Sequence, residues 1–276
     1  MLWVVSDRGA IIVHARDEQE LDRIIEPSVQ AVIYQPPSLP AWLGAVAGAV
    51  ERGALAVPRT TLASARRDEL AAWLEHHVPV GAVADEVRAA LIEDVLAMSD
   101  RLAIRTGGGR FLMRIFTGAP STECGFHVDT VPPGAPVWGL LRVYNGAGTA
   151  YIEPDNLDSV AAFYRYLGRR ERLARERREA RAAGDGAAAA RLESEIVALD
   201  ARPAFLHRPQ DIHVAPAGAI VAFKHLDIRL HWSSHGRAAA WIHCSPMAGA
   251  PRLVVNLTVP QAVPRSARPA PHVSAR

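Results

Sequence analysis

Two blocks of short β-prone runs, separated by a helix-rich interruption and preceded by a helix-rich third, predict an α+β chain built round a β-sandwich or jelly roll. The first block comprises Leu102 to Arg105, Phe111 to Phe116, Gly139 to Tyr144 and Ala150 to Glu153. The second comprises Asp211 to Val214, Ala219 to Lys224, Ala238 to Cys244 and Arg252 to Val259. All are short and punctuated by Gly, Pro or Asn, the texture of strands and turns.

Ahead of the first block, Ala31 to Tyr34 reads as a strand and the Pro-rich Gln35 to Pro40 as a connector. Arg67 to His77 and Val83 to Arg101 carry apolar residues at helical spacing. Val87, Leu91, Ile92, Val95 and Leu96 make one stripe with acids and arginines opposite, so these segments are predicted to be helices packed on a sheet. Asn145 to Gly148 is a turn that suggests a hairpin between its flanking runs. The interruption, about 158–202, is rich in Ala, Arg, Glu and Leu and breaks at Gly184, Asp185 and Gly186, which predicts a helical hairpin inserted between strands. Its first arm is basic through Arg165, Arg169, Arg170, Arg172, Arg175, Arg177, Arg178 and Arg181. A solvated helix with intrahelical ion pairs is the expected arrangement, with an RNA or DNA surface as the alternative. The chain thus reads as one domain over 1–260, with this insertion and a disordered tail over 261–276.

Composition narrows the function classes. With 276 residues and 49% hydrophobic content the chain has material for one sizeable core. The formal charge of +2 draws it neither to nucleic acid nor to an anionic membrane. Lys224 is the only lysine, and the arginine-rich remainder reads as compositional bias. Lacking an export signal or an apolar run of bilayer length, the protein is expected in the cytoplasm, with Cys124 and Cys244 as free thiols.

The chemistry concentrates in two segments. In an extended strand residues two apart face the same side, so His127 and Asp129 project together while Phe126 and Val128 face away. A later histidine would complete a two-histidine, one-carboxylate triad, which leaves positions open on ferrous iron for an organic co-substrate and oxygen. His243 is the chosen third ligand. His207, His213, His225, His231 and His235 are its rivals, with His235 and Arg237 the nearest competing pair. Arg252 follows His243 by nine positions and heads the last strand, where alternation groups it with Val254, Asn256 and Thr258. A guanidinium there offers a bidentate, permanently charged clamp for a carboxylate. Asn256 is expected in the same pocket. Arg142 and Tyr144 share a face with Trp138 and Leu140 and are further candidates to contact a co-substrate, as is Arg114. The cysteines beside the presumed ligands raise a closed zinc site as an alternative, although regular strands would point Cys124 away from His127 and Cys244 away from His243.

The placing of His243 and Arg252 resembles the double-stranded β-helix of 2-oxoglutarate-dependent oxygenases, where the distal metal histidine and the arginine gripping the co-substrate occupy adjacent antiparallel strands at about this separation. The chain also resembles an uncharacterised bacterial family, domain of unknown function 1826. That likeness rests on Cys124 with Phe126, His127 and Asp129; on Leu140 to Tyr144 with Gly146, Gly148 and Thr149; and on His243, Ser245, Pro246 and Arg252. It covers most of the chain outside the helical insertion and the tail. Cys244 stands where the family usually has arginine, and Asn145 and Ala147 depart from its turn motif. The family is often encoded beside zinc-handling GTPases, which implies a link to metal homeostasis. The resulting expectation is an Fe(II)- and 2-oxoglutarate-dependent dioxygenase hydroxylating a small molecule or peptide, with metal ligands His127, Asp129 and His243 and co-substrate contacts Arg252, Tyr144, Asn256 and Arg142. The alternative is a non-catalytic zinc-binding protein of metal homeostasis.

Overall fold

In the computed structural model, which describes residues 9–64, 66–105, 111–135 and 137–258, the apolar stripes of the amino-terminal third fold onto one face of a large sheet. The predicted tail lies outside the described residues. In chain order the elements are β1 (Ile11–Ala15), β2 (Val29–Tyr34), α1 (Trp42–Glu51), β3 (Thr60–Ser64), α2 (Arg67–His77), α3 (Asp85–Arg105), β4 (Phe111–Gly118), β5 (Thr130–Val131), β6 (Trp138–Val143) and β7 (Ala150–Tyr151). There follow α4 (Val160–Ala182), α5 (Gly186–Ala201), β8 (His213–Val214), β9 (Ile220–Lys224), β10 (Leu226–Asp227), β11 (His243–Cys244) and β12 (Arg252–Thr258). Among the described residues no helix is long and apolar enough to cross a membrane.

Seven strands form one mainly antiparallel sheet in the order β1-β2-β9-β6-β12-β4-β3, and β11-β7-β8 form a small second sheet extended by a backbone pair between His127 and His243. From β4 onward the chain passes repeatedly between the large sheet and the smaller ones, with β5 and β10 forming a third, two-stranded sheet, so that only β7 and β8 are consecutive neighbours. Alternation of side chains then creates three apolar interfaces. Leu140, Leu253, Val255 and Leu257 face α1–α3, where Leu91, Ile92, Val95 and Leu96 are buried as the helical stripe requires. On the other face Leu141, Val143, Val221, Phe223 and Val254 meet Tyr151 and Trp241 of the small sheet's side. The outer face of the small sheet, with Phe126, Val128, Ile242 and Cys244, packs against Phe163, Tyr166 and Phe205 of the hairpin region.

Several expectations are corrected. Leu102 to Arg105 is the last turn of α3 instead of a strand, because Leu102 continues the buried helical stripe. Asn145 to Gly148 does not close a hairpin: β6 and β7 belong to different sheets, and the segment carries the chain between layers. Asn145 fixes that crossing, accepting from Leu253 N–H at 2.8 Å and donating to Pro251 O at 2.9 Å, while Gly146 adopts φ +70°. Of the run Ala238 to Cys244 only β11 is strand, following a single 3-10 turn at Arg237–Ala239.

The helical insertion falls where the sequence placed it, turning at Gly184 with φ +74°, but it is not a solvated appendage. Arg170 and Arg177 are buried. Arg177, 0% exposed, bonds Glu123 and Glu193 at 2.5 Å each, and Arg170 Nε lies 2.9 Å from Asp200. The excess of arginine is thus partly consumed in pinning α4 to α5 and to the segment before His127.

Arg142 and Tyr144 share a face, as alternation predicts, yet it is the helix-packed face. Both bond the carboxylate of Asp94 on α3, Tyr144 Oη at 2.6 Å. The sheet stands between them and the metal residues, so the expected contact of Arg142 and Tyr144 with a co-substrate is corrected to a structural one. Removing Asp94 leaves a guanidinium only 4% exposed without its counter-charge. Asp94→Ala is expected to cost about 3 kcal/mol in urea unfolding and to leave metal affinity unchanged; a metal-binding defect in a folded variant would contradict this separation of roles.

Candidate metal centre

Two backbone hydrogen bonds create the centre. His127 N–H donates to His243 O at 2.9 Å and His243 N–H donates back to His127 O at 3.1 Å. Directly paired antiparallel residues put their side chains on the same face, and the two imidazole centroids lie 4.4 Å apart. Asp129, two residues on from His127, is held by its carbonyl, which accepts from Leu226 N–H at 2.8 Å beside the β5–β10 pair. The ligand atoms of His127, Asp129 and His243 all lie within 4.8 Å of one another, with His127 Nε2 at 3.6 Å from Asp129 Oδ1. That last distance is too long for a hydrogen bond and suits two donors sharing a cation.

Each histidine has one nitrogen tied to the backbone. His127 Nδ1 lies 2.8 Å from Gly125 O and His243 Nδ1 lies 3.1 Å from Trp241 O. With Nδ1–H donating to a carbonyl, Nε2 is left as the lone-pair donor in both rings, which is the orientation metal-ligating histidines use. Trp241 stacks on His243 at 4.5 Å and 15°, and Phe223 meets it edge-on, so this ring is locked from both sides.

The charges at the centre are mixed: Asp129 attracts a cation and His243 is neutral, while His127 has to give up a proton to bind one. Burial, with His127 as neighbour, pushes His243 down to about 3, keeping it neutral. Asp129 stays ionised: burial works against its charge, but His243, His127, His225 and Arg114 hold it below the ordinary carboxylate value. At His127 burial disfavours the imidazolium, yet the hydrogen bond to Cys124 and the charges of Cys124 and Asp129 raise it to about 9. Cys124 Sγ sits 3.3 Å from His127 Nδ1. The parity rule that points Cys124 away from His127 fails because the chain from Cys124 to Phe126 is not strand. Cys244, buried among Phe126, Val128 and Ile242, does point away, and burial raises its thiol to about 12.

The hairpin positions this irregular segment. Arg170 Nη2 donates to Thr122 O at 2.5 Å and Nη1 to Glu123 O at 3.3 Å, and Phe126 N–H donates to Tyr166 Oη at 3.0 Å. Gly125 leaves the space that Arg170 occupies; a Cβ there would overlap the guanidinium. These positioning residues escaped the sequence reading, although Arg170 and Asp200 lie at similar distances either side of the Gly184 turn.

The other predicted residues sort by face. Arg252 and Asn256 share the site-facing side of β12 with Val254. Arg252 is 5% exposed; Nη1 donates to Ala147 O at 3.1 Å, and Nε is buried without a partner, as is Asn256 Oδ1. Among the rival histidines, His207 pairs loosely with Asp158, His213 stacks on Tyr151, and His231 and His235 surround Tyr164. There α4 and the loop after β10 form a cleft of about 430 Å³ lined by Tyr164, Arg165 and Trp232. His225 lies nearer the centre: it is 1% exposed, neither ring nitrogen has a partner, and burial lowers it to about 4. Its ring lies over Gly139, where a Cβ would come within 2.7 Å of it.

Asp129→Ala and His243→Ala are each expected to lower divalent-metal affinity by at least about 100-fold in calorimetric titration, with far-ultraviolet circular dichroism unchanged. Cys124→Ser removes the sulfur whose hydrogen bond and charge raise His127. In the metal-free variant His127 is expected to titrate well below pH 9 by NMR, and an unshifted titration would mean that another group sets its value.

No protein-family model matches the chain, and no curated protein matches it. Among solved structures it is similar to a dioxygenase for auxin oxidation from rice, at 14% identity and a TM-score of 0.37, over 83% of this chain and 73% of that one. It is also similar to a prolyl-4-hydroxylase of Pseudomonas putida, at 12% identity and a TM-score of 0.29, over 82% of this chain and 98% of that one. Likeness at these values assigns neither activity nor substrate to this chain.

Proposed function

We propose that the chain is a jelly-roll, non-haem Fe(II)- and 2-oxoglutarate-dependent oxygenase acting on a small molecule or peptide. The observation that carries this reading is the convergence of His127, Asp129 and His243 within 4.8 Å, two neutral-capable imidazoles and one carboxylate from segments far apart in sequence. The passage of the chain between the large sheet and the smaller ones supports a double-stranded β-helix. The donor set of two histidines and one carboxylate fits ferrous iron, which these residues would hold while leaving positions for a co-substrate and oxygen. Iron held there with 2-oxoglutarate supplies the activation of dioxygen needed to oxidise a C–H bond.

The residues have separate tasks in this reading. Gly125 O and Trp241 O keep both Nε2 atoms aimed at the cation, and the Asp129 charge offsets part of it. Arg252 provides a fixed positive charge whose Nε lacks a partner inside the protein. A buried guanidinium with donors left over is costly unless an anion completes it, which suits the distal carboxylate of 2-oxoglutarate. Asn256, two turns of alternation along the same face, offers an amide to the same ligand. The apolar walls of Phe223, Val254 and Leu141 exclude water from between these groups.

A second reading has its own observation. Cys124 Sγ lies 3.3 Å from His127 Nδ1 and 3.8 Å from Nε2, close enough for a thiolate to join the imidazoles after a small rotation. That set would suit zinc in a non-catalytic protein, in keeping with the proposed kinship to domain of unknown function 1826 and a cytoplasmic role in metal homeostasis.

Anaerobic titration separates the two. Fe(II) with 2-oxoglutarate is expected to give a weak visible charge-transfer band, and oxygen then yields succinate. Arg252→Ala is expected to retain metal and to weaken 2-oxoglutarate binding by roughly 100-fold. Tight zinc binding, no band and an affinity lost in Cys124→Ser would favour the second reading instead.

A further inference from the structure

The site-facing side of β4 carries a charge that neither reading uses. Arg114 pairs in register with Asn256 on β12 and with Thr61 on β3, so its side chain leaves the sheet on the same side as Asn256 and Leu141, toward the small sheet and the metal residues. Asp129 feels its charge directly. Arg114 has no hydrogen bond and no ion pair among the described residues, although it is only partly exposed. One step along the edge, Arg59 precedes β3 and lies with its guanidinium over the ring of Phe116, 5.2 Å from the centroid, which puts it on the same side of the sheet. Arg59 likewise has no acidic partner among the described residues.

Two like charges side by side repel, and Arg114 feels the charge of Arg59. A partly desolvated guanidinium without acceptors adds a further penalty, because it has lost water without gaining hydrogen bonds. The one nearby carboxylate, Asp129, belongs to the metal triad. Elsewhere among the described residues the buried arginines other than Arg252 are matched by carboxylates: Arg142 by Asp94, Arg170 by Asp200, Arg177 by Glu123 and Glu193. The exception therefore marks a place for an external anion. It is distinct from Arg252, which sits at the opposite end of β12 beside Ala147 and Gly146.

We propose that Arg114 and Arg59 form an oxyanion subsite beside the metal centre, so that the substrate carries a carboxylate or phosphate group held at the β3–β4 edge. This rests on the oxygenase reading for the word substrate, whereas the anion site itself does not need iron. Arg114, closer to the metal residues, would fix the anion in place, and Arg59 at the rim would draw it in from solvent.

The test uses the full chain and two probes, inorganic phosphate and N-acetylglycine, titrated calorimetrically with and without Mn(II) and 2-oxoglutarate. At least one probe is expected to bind. Arg114→Gln and Arg59→Gln should each weaken it about tenfold or more, Arg114→Lys less, with 2-oxoglutarate affinity unchanged in all three. Binding of phosphate alone points to phosphate esters, and binding of N-acetylglycine alone to carboxylic acids. The proposal is overturned if neither probe binds the wild-type chain, if the folded glutamine variants bind as well as wild type, or if Arg114→Gln instead removes 2-oxoglutarate binding. Failure of 2-oxoglutarate to bind the wild-type chain with Mn(II) would count against the oxygenase reading alone, since the anion titration without metal stands independently.

Discussion

The reciprocal backbone pair between His127 and His243 is the constraint on which the centre depends. Two N–H to carbonyl bonds, at 2.9 and 3.1 Å, fix the spacing and common direction of two side chains from segments far apart in sequence. Neither segment is a long strand: β11 has two residues, and the chain before His127 is irregular. The pair therefore relies on what packs around it. Trp241 and Phe223 lock His243 from within, while Arg170 and Tyr166 hold the backbone leading to His127 from outside. The inserted hairpin is in this sense part of the metal centre's scaffold.

Burial and charge are distributed so that the interior tolerates one cation. A neutral His243, an ionised Asp129 and the His127–Cys124 pair converge where a divalent ion would sit. Charged groups that serve the fold are paired on the other faces, as in the bond of Arg142 and Tyr144 to Asp94 and that of Arg177 to Glu123 and Glu193. Buried polar atoms without partners occur on the walls nearest the centre, at His225, Trp241, Arg252 and Asn256, and also elsewhere, at Gln35, Arg142 and Arg177. Unsatisfied buried groups are rare in folded proteins because each is costly, and those beside the centre are ones a ligand could complete.

Much of this was legible in the sequence where periodicity and spacing speak for themselves. The bounds of α2, the buried stripe of α3, the helical insertion and the alternating faces of β12 follow from local pattern. Alternation also grouped Arg142 with Tyr144 correctly, but it cannot say which face of a sheet is the inner one; that depends on where α3 packs. The 145–148 turn looked like a hairpin because turn chemistry is the same whether a chain reverses within a sheet or crosses to another. Cys124 was misdirected because the parity rule holds only in extended strand, and Gly125 interrupts it to make room for Arg170. Arg59 carries no motif, and Arg114 stood out only as a further candidate to contact a co-substrate. Their interest lies in lacking partners, which only three-dimensional neighbours reveal.

Anomalous X-ray diffraction at the iron edge, from crystals grown anaerobically with Fe(II), tests the centre most directly. A single peak is expected at bonding distance, about 2.0–2.2 Å, from His127 Nε2, Asp129 and His243 Nε2, with Cys124 Sγ outside the coordination sphere. Iron bound through Cys124, or bound without His243, would contradict the facial arrangement and with it the oxygenase reading.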